Sequence, residues 1–499
     1  MEIINLSKYS TIFIILVVSI VFASLGIFFS KGNTSISSYI SADRNLGNKS
    51  LTASLVASCF GVWILIGPSE AATWGGIGAI LGYALGQASP YLAFILIGKR
   101  MRKIMPEGNS LTQFVLVRFG KQMFKLVLFL SLFYMFVYLC AEVTAIAKVV
   151  NLISGIPLWQ TSLLIIISTL TYTLYGGLVA SIITDRLQFL IIIILLLISI
   201  NQIFITENTS FNIDLIRDKA NFLISGKYFY GYTAGITFFI AVFATNLFDQ
   251  GIWQRVYAAK TDRDLLKGLI SAFFIILPFL LILGFFGIIA VITGNDKDTS
   301  TVFFSLLFNS FSEFNNLIVG SILVLILSLV VSSMDTLINA FSSLIIINGD
   351  KFLKLGPRAL RQLSYILILS ISGVVFFIAS KGYSVLFMFL FADLLCCSAV
   401  FPTFYGMFKG DLSKKLAFGS VISGLLCGLL IFPNQTFEKS ILIGTLIPKS
   451  IFPVWVTNTL LFWSFVLATF IPMLIILIFK RKDVSFEFDN MKYLVRKII

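Results

Sequence analysis

Long apolar runs separated by short polar segments form the pattern of the whole chain. Most runs are about 20 residues or longer, the length that an α-helix needs to cross the hydrocarbon core of a bilayer. They predict about thirteen transmembrane helices, near residues 10–30, 52–74, 79–98, 122–150, 158–175, 178–205, 231–252, 266–293, 316–347, 360–380, 382–407, 413–432 and 455–479. We therefore expect an all-α integral membrane protein, with one polytopic domain over residues 1–499.

Composition excludes a soluble enzyme. The chain is 58% hydrophobic and only 12% charged, whereas soluble domains are about 25% charged. It has no histidine, and its five cysteines lie inside apolar runs without metal-ligand spacing. We expect no enzymatic activity, no bound cofactor and no metal site built from histidine or cysteine.

Basic residues predict the orientation in the membrane. Lys and Arg number 37 against 23 Asp and Glu. Most of the basic residues fall in alternate loops, near 31–49, 99–125, 186, 255–267, 351–361, 409–415 and 480–497. By the positive-inside rule these segments are cytoplasmic. The expected protein lies in the plasma (inner) membrane with its N-terminus outside and its C-terminus inside, which requires an odd number of spans.

Two predicted spans are interrupted by glycine, proline or polar residues. The second span contains Gly61, Gly67 and Pro68, and the seventh contains Gly235 and the polar stretch 246–251. Such residues either allow close helix packing or break the helix at a binding site. Breaks five spans apart suit a five-plus-five inverted repeat. The predicted units are an extra N-terminal span at 10–30, a first repeat at 52–205, a second repeat at 231–407 and two extra spans at 413–479.

Acidic residues within the spans are costly and therefore need a partner or a function. They are Glu70, Glu142, Asp249, Asp335 and Asp393. Glu142 is expected near the outer end of its span, in an ion pair with Lys148 or in a functional role. Glu70 either lines an outer vestibule or reaches the surface. Asp249 either pairs with Arg255 or acts as a gate charge.

A polar cluster in the ninth span suits a monovalent cation. Ser332, Asp335 and Thr336 share one helical face, and Ser333 adjoins them. Hydroxyls either bond back to their own helix or, with freed backbone carbonyls, supply the oxygen ligands that sodium prefers. Asp185 is expected at the cytoplasmic mouth, where it either pairs with Arg186 or attracts a cation.

Three motifs resemble those of the sodium/solute symporter family, whose members carry proline, pantothenate, glucose, iodide, choline or urea. The chain reads Tyr175-Gly176-Gly177-Leu178 followed by Thr184-Asp185 and Gln188, then Gln254-Arg255-Val256-Tyr257-Ala258-Ala259-Lys260, then Ser332-Ser333-Met334-Asp335-Thr336. They are similar to the family's Y-G-G-L-x-A-x-x-x-T-D-x-x-Q, Q-R-x-L-A-A-K and S-S-x-D-S. The resemblance covers about residues 10 to 480.

The resemblance implies the inverted-repeat LeuT fold and a set of site residues. Sodium ligands would be the carbonyls of Ala57, Phe60 and Leu329 and the hydroxyls of Ser332 and Ser333, with Asp185 on the sodium exit path. Substrate-pocket candidates would be Trp63, Trp74, Tyr134, Tyr138, Asn246, Gln250 and Asp393. Cys59 stands where the family's proline carriers have an acid, which weakens a proline interpretation. The aromatic candidates either cage a quaternary ammonium group or only pack.

We therefore predict secondary active transport, in which sodium entry drives uptake of a small polar organic solute by alternating access. The alternative is a proton-coupled or uncoupled uniporter or channel-like permease for a small solute such as urea. A sensor is disfavoured because the residues after Lys480 hold no signalling module. The expected partners are the solute, sodium and lipid, with no nucleic acid and no obligate protein partner.

Overall fold

The computed structural model describes residues 6–30, 36–208, 220–310, 316–353, 356–480 and 485–494. Within these ranges the chain is helical and contains no extended strand. The helices are α1 (Lys8–Ser30), α2 (Ile36–Ser41), α3 (Asn48–Cys59), α4 (Trp63–Ile104), α5 (Leu111–Phe119), α6 (Lys121–Ser154), α7 (Leu158–Asn208), α8 (Asn221–Ile224), α9 (Phe229–Asn246), α10 (Gln250–Ala258), α11 (Asp262–Thr293), α12 (Val302–Asn309), α13 (Asn316–Leu353), α14 (Pro357–Ser380), α15 (Val385–Phe408), α16 (Lys414–Ile431), α17 (Val454–Thr457), α18 (Leu460–Phe479) and α19 (Met491–Leu494). Basic positions at Lys31, Lys354, 481–484 and 495–499 lie outside the described residues.

The all-α membrane fold is confirmed. Ten helices of the described part are long and apolar enough to cross a membrane, or eleven if the bent pair α9–α10 forms one span. Two further predicted boundaries fall inside long helices, at Gly76 in α4 and Gly177 in α7. Both glycines have positive φ, 56° and 58°, in a region essentially restricted to glycine. The total of about thirteen spans depends on counting these turns as boundaries, and it stays a prediction.

Both predicted helix breaks are present, but the first lies before the predicted proline. Helix α3 ends at Cys59 and α4 begins at Trp63, whereas Pro68 lies inside α4 without interrupting it. Glycine at position 61 therefore accompanies the break, and Pro68 does not cause it. The second break separates α9 from α10, which meet at 55°.

Small residues let α4 and α9 approach closely. A side chain on Gly78 would collide with the carbonyl of Gly231, and one on Gly82 would collide with that of Gly235. This spacing of four residues on each helix is the small-residue packing common in membrane bundles. Gly235 thus serves packing, and the break in its span lies further along, after Asn246.

Three of the predicted basic segments meet at one end of the bundle. The N–H of Leu46 donates to the carbonyl of Ala258 at 2.9 Å, and that of Lys260 donates to Leu46 at 2.9 Å. Arg102 donates to the carbonyl of Ala259 at 2.7 Å. These segments therefore lie on the same side, as predicted, and the assignment of that side to the cytoplasm stays a prediction.

Candidate functional site

A central cavity lies beside both helix breaks. Its walls come from α3, α4, α6, α9, α10, α13 and α15. The lining residues are Ser58, Cys59, Trp63, Tyr83, Gln87, Tyr91, Tyr134, Tyr138, Val242, Thr245, Asn246, Asp249, Gly251, Ile252, Ser333, Thr336, Leu337, Phe389 and Asp393. A cavity between broken helices of a bundle is the usual place for a transporter's solute.

Aromatic rings form much of the cavity wall. The ring of Trp63, the first residue of α4, stacks on Tyr83 at 5.8 Å and meets Phe389 edge-on at 6.0 Å. Tyr138 meets Phe389 at 5.2 Å and accepts a hydrogen bond from the Trp63 indole at 2.8 Å. These contacts hold the rings in fixed positions, so they present a preformed apolar surface to a solute.

Five of the seven predicted substrate-pocket residues line this cavity, namely Trp63, Tyr134, Tyr138, Asn246 and Asp393. Trp74 does not line it. Trp74 lies eleven residues further along α4 than Trp63, is 37% exposed and lines a different pocket with Tyr230. Gln250 does not line the cavity either. Its amide donates to the carbonyl of Asn109 at 2.9 Å and is buried at the start of α10.

Sequence reasoning missed three lining residues on α4. Tyr83, Gln87 and Tyr91 recur every four residues and so lie on one helical face. The Gln87 amide exchanges hydrogen bonds with Asn246 at 3.0 and 3.2 Å and also donates to the Cys59 sulfur at 3.0 Å. This periodic polar face was the available signal in the sequence.

Two acids face the cavity and form no ion pair within the described residues. Asp249 and Asp393 are 7% and 4% exposed. Across the part of the chain that the structure describes, neither forms an ion pair and no Lys or Arg lines the cavity. One oxygen of Asp249 accepts the N–H groups of Gly251 at 2.6 Å and Ile252 at 3.4 Å, so the pair predicted with Arg255 does not form.

Two of the five predicted sodium ligands, the carbonyls of Ala57 and Phe60, lie at the end of α3 beside the first break. The Ser332 hydroxyl instead donates to Asp185 at 2.7 Å. The Gly61 N–H bonds the carbonyl of Cys59 at 3.1 Å, and the carbonyls of Ala57 and Phe60 accept no hydrogen bond within the described residues. Across the break, Ser333 on α13 donates within 3.2 Å to the carbonyls of Leu329 and Val330 on its own helix. Free carbonyls and a nearby hydroxyl are suitable groups for an alkali cation.

Glu142 occupies a different place from the predicted one. It is fully buried on α6 and makes no ion pair among the described residues, so the predicted pair with Lys148 is wrong. Its carboxylate instead accepts the N–H groups of Val62 at 2.9 Å and Trp63 at 3.3 Å, and the hydroxyl of Ser333 at 3.0 Å. Glu142 therefore joins the first break to α13.

Asp185 is buried in an ion pair with Arg255, not with the exposed Arg186. The carboxylate and the guanidinium are 2.9 Å apart, and both side chains are fully buried. Asp185 also accepts the hydroxyls of Ser54 at 2.5 Å and Ser332 at 2.7 Å. The acid is therefore part of a network that connects α3, α7, α10 and α13, and its role on an exit path stays a prediction.

Asp335 lies in the same polar layer and adds a second acid to it. It accepts the hydroxyls of Ser181 at 2.8 Å and Thr184 at 3.3 Å, both on α7. Arg255 also donates to Thr336 at 2.9 Å. One arginine therefore contacts both Asp185 and the residue next to Asp335. The polar cluster of α13 thus faces α6, α7 and α10, not lipid.

Comparison with known proteins places this architecture among transporters. The chain is 26% identical to a spermidine transporter, DUR31, of Candida albicans, over 83% of this chain and 78% of that protein. It is 23% identical to a urea active transporter of Saccharomyces cerevisiae, over 46% of this chain and 33% of that one. It is 28% identical to a sodium/glucose cotransporter of Vibrio parahaemolyticus, over 52% and 50%.

The solved structure of a Na+-coupled sialic acid symporter has the same fold. It matches with a TM-score of 0.67 and 17% identity, covering 93% of this chain and 98% of that one. The sequence model of the sodium:solute symporter family matches residues 39–424. The chain is thus a multi-pass membrane transporter and not an enzyme, and it belongs to the sodium:solute symporter family.

Proposed function

We propose that this protein is a sodium-coupled symporter that imports a small organic cation by alternating access. The observation that carries the proposal is one cavity with aromatic walls and two acids that form no ion pair, directly beside a helix break with free carbonyls. The ion would bind at the break and the solute in the cavity.

The negative charge of the acids that line the cavity favours a cationic solute. A buried acid that forms no ion pair is costly, so a cationic solute would stabilise Asp249 and Asp393 more than a neutral one. Aromatic faces such as those of Trp63 and Tyr138 attract organic cations by cation–π contact. Among the relatives, the one named for spermidine transport agrees with this class, while those named for urea and glucose carry neutral solutes.

Coupling would act through residues shared by the two sites. Ser333 lines the cavity and bonds the carboxylate at the break. Trp63 presents its indole to the cavity while its backbone N–H bonds that carboxylate. Sodium binding at the break would therefore fix two cavity residues, and by linkage the solute would raise sodium affinity by the same factor.

Uptake into proteoliposomes tests the proposal. With labelled putrescine and spermidine as probes, an inward sodium gradient should drive accumulation, and equal sodium on both sides should abolish it. Labelled urea and glucose should accumulate poorly. Accumulation driven by a proton gradient in potassium medium would favour the proton-coupled alternative, and equilibration without accumulation would favour a uniporter.

Charge-removing variants test the cavity. Asp393→Asn and Asp249→Asn should raise the half-saturating amine concentration roughly 10- to 100-fold, since each removes an ionic contact. Glu70→Gln is the matched control, because Glu70 is also buried but does not line the cavity. If all three variants bind amines like the parent, the cavity does not select a cation.

A further inference from the structure

The carboxylate of Glu142 lies at the first helix break itself. A side-chain carbon on Gly61 would collide with both of its oxygens, so the glycine leaves the space that the carboxylate fills. The adjoining residues on either side of Gly61 are Phe60, whose carbonyl accepts no hydrogen bond within the described residues, and Val62, whose N–H bonds Glu142. The Glu142 side chain, from α6, thus contacts the same turn of backbone that carries the free carbonyl.

Glu142 differs from Asp185 in having no countercharge. Arg255 contacts Asp185 at 2.9 Å, whereas Glu142 is held by neutral donors and makes no ion pair in the described part of the chain. Backbone N–H groups and a hydroxyl reduce the cost of burying a carboxylate without supplying a positive charge. A bound cation would supply it.

The Glu142 carboxylate also has a lone pair available to bind a cation. Its two oxygens offer about four lone-pair sites, and Val62, Trp63 and Ser333 use three of them. The single hydroxyl proton of Ser333 is shared between Glu142 at 3.0 Å and the carbonyls of Leu329 and Val330 within 3.2 Å, and the Ser333 oxygen keeps lone pairs for an ion. Carboxylate, hydroxyl and carbonyl oxygens together are a ligand set for a hard cation.

We propose that Glu142 is a direct, charged ligand of the sodium ion, shared with Ser333 and the break carbonyls. The inference rests on the sodium coupling proposed above and adds to it that the site is anionic. The sodium ion then neutralises the Glu142 carboxylate and draws α6, α13 and the start of α4 together.

Thermal unfolding of the purified protein tests this without transport. Sodium chloride replaces potassium chloride at constant total salt, and the sodium concentration that gives half of the rise in Tm is measured. The parent should show a saturable rise. Glu142→Gln should raise the half-saturating sodium concentration at least about tenfold, and Glu142→Asp, which keeps the charge, should lie between the two.

Glu70→Gln is the matched control and should leave the sodium curve unchanged. If Glu142 only caps the helix, Glu142→Gln will lower Tm in potassium but keep the parent's sodium curve, which overturns this proposal and leaves sodium coupling intact. If the parent itself shows no sodium-dependent rise, the sodium coupling fails as well.

Discussion

The two broken helices differ in where their caps come from. After each break, the first N–H groups of the new helix lack helical partners. At the second break, Asp249 caps α10 from the position directly before it, with Gly251 at 2.6 Å. At the first break, the cap is Glu142 from α6, with Val62 at 2.9 Å. The second break is thus closed locally, and the first depends on the position of another helix.

Because of this difference, we expect the two breaks to respond differently to substitutions nearby. Because Glu142 also accepts the hydroxyl of Ser333, a shift of α13 changes the surroundings of the first break. The second break is anchored chiefly by Arg255, which fixes α10 to Asp185 on α7. We therefore expect changes near the first break to alter ligand binding, and changes at Arg255 to alter stability.

The largest effect is expected for Arg255→Met. It leaves Asp185 buried without its countercharge, which should destabilise the protein by about 3–5 kcal/mol. Chemical unfolding in detergent measures this. Arg186→Met is the control, because Arg186 is exposed, and it should change little. An equal loss in both variants would show that the ion pair does not anchor α10.

Alanine substitution at the glycine of each break compares the two directly. Gly61→Ala collides with the Glu142 carboxylate, whereas Gly251→Ala approaches Thr336 at 2.8 Å and Asp249 at 2.9 Å. Both should cost about 1–3 kcal/mol in unfolding free energy. Only Gly61→Ala should also weaken the sodium-dependent rise in Tm. Equal sodium curves in the two variants would remove the distinction between the breaks.

Ser333→Ala isolates the hydroxyl that α13 contributes to the first break. Loss of one neutral ligand should cost about 1–3 kcal/mol of sodium binding, or about 5- to 150-fold in half-saturating sodium for uptake. Ser328→Ala is the control, five residues earlier on the same helix, since its hydroxyl donates to the carbonyl of Val324 at 2.8 Å. Identical sodium curves for Ser333→Ala and Ser328→Ala would make Ser333 an ordinary helix serine.

The smallest structural effect is expected for Lys103→Cys, which tests on which side of the membrane the end of α4 lies. Lys103 is exposed near the loop that follows α4, while all other cysteines are buried or half-buried. A membrane-impermeant thiol reagent should label it in inside-out vesicles and not in intact cells. Labelling in intact cells would invert the predicted topology.

The sequence was sufficient for what depends on local composition. Apolar runs of bilayer length predicted an all-helical membrane fold, since every backbone polar group in lipid must be bonded within the helix. Three motifs indicated the family. The second break was also visible, because the polar stretch 246–251 interrupts its span, and in the structure Asp249 caps the helix that follows.

The tertiary structure decided which polar groups meet. Glu142 has Lys148 nearby in sequence, yet it bonds Val62 and Ser333, because α6 packs against the first break. Asp185 adjoins Arg186 but pairs with Arg255, 70 residues away. Trp74 lies on α4 with Trp63 but outside the cavity. A buried charge is stabilised by whichever partner the packing of helices brings within reach, and neighbouring positions in the sequence do not determine that partner.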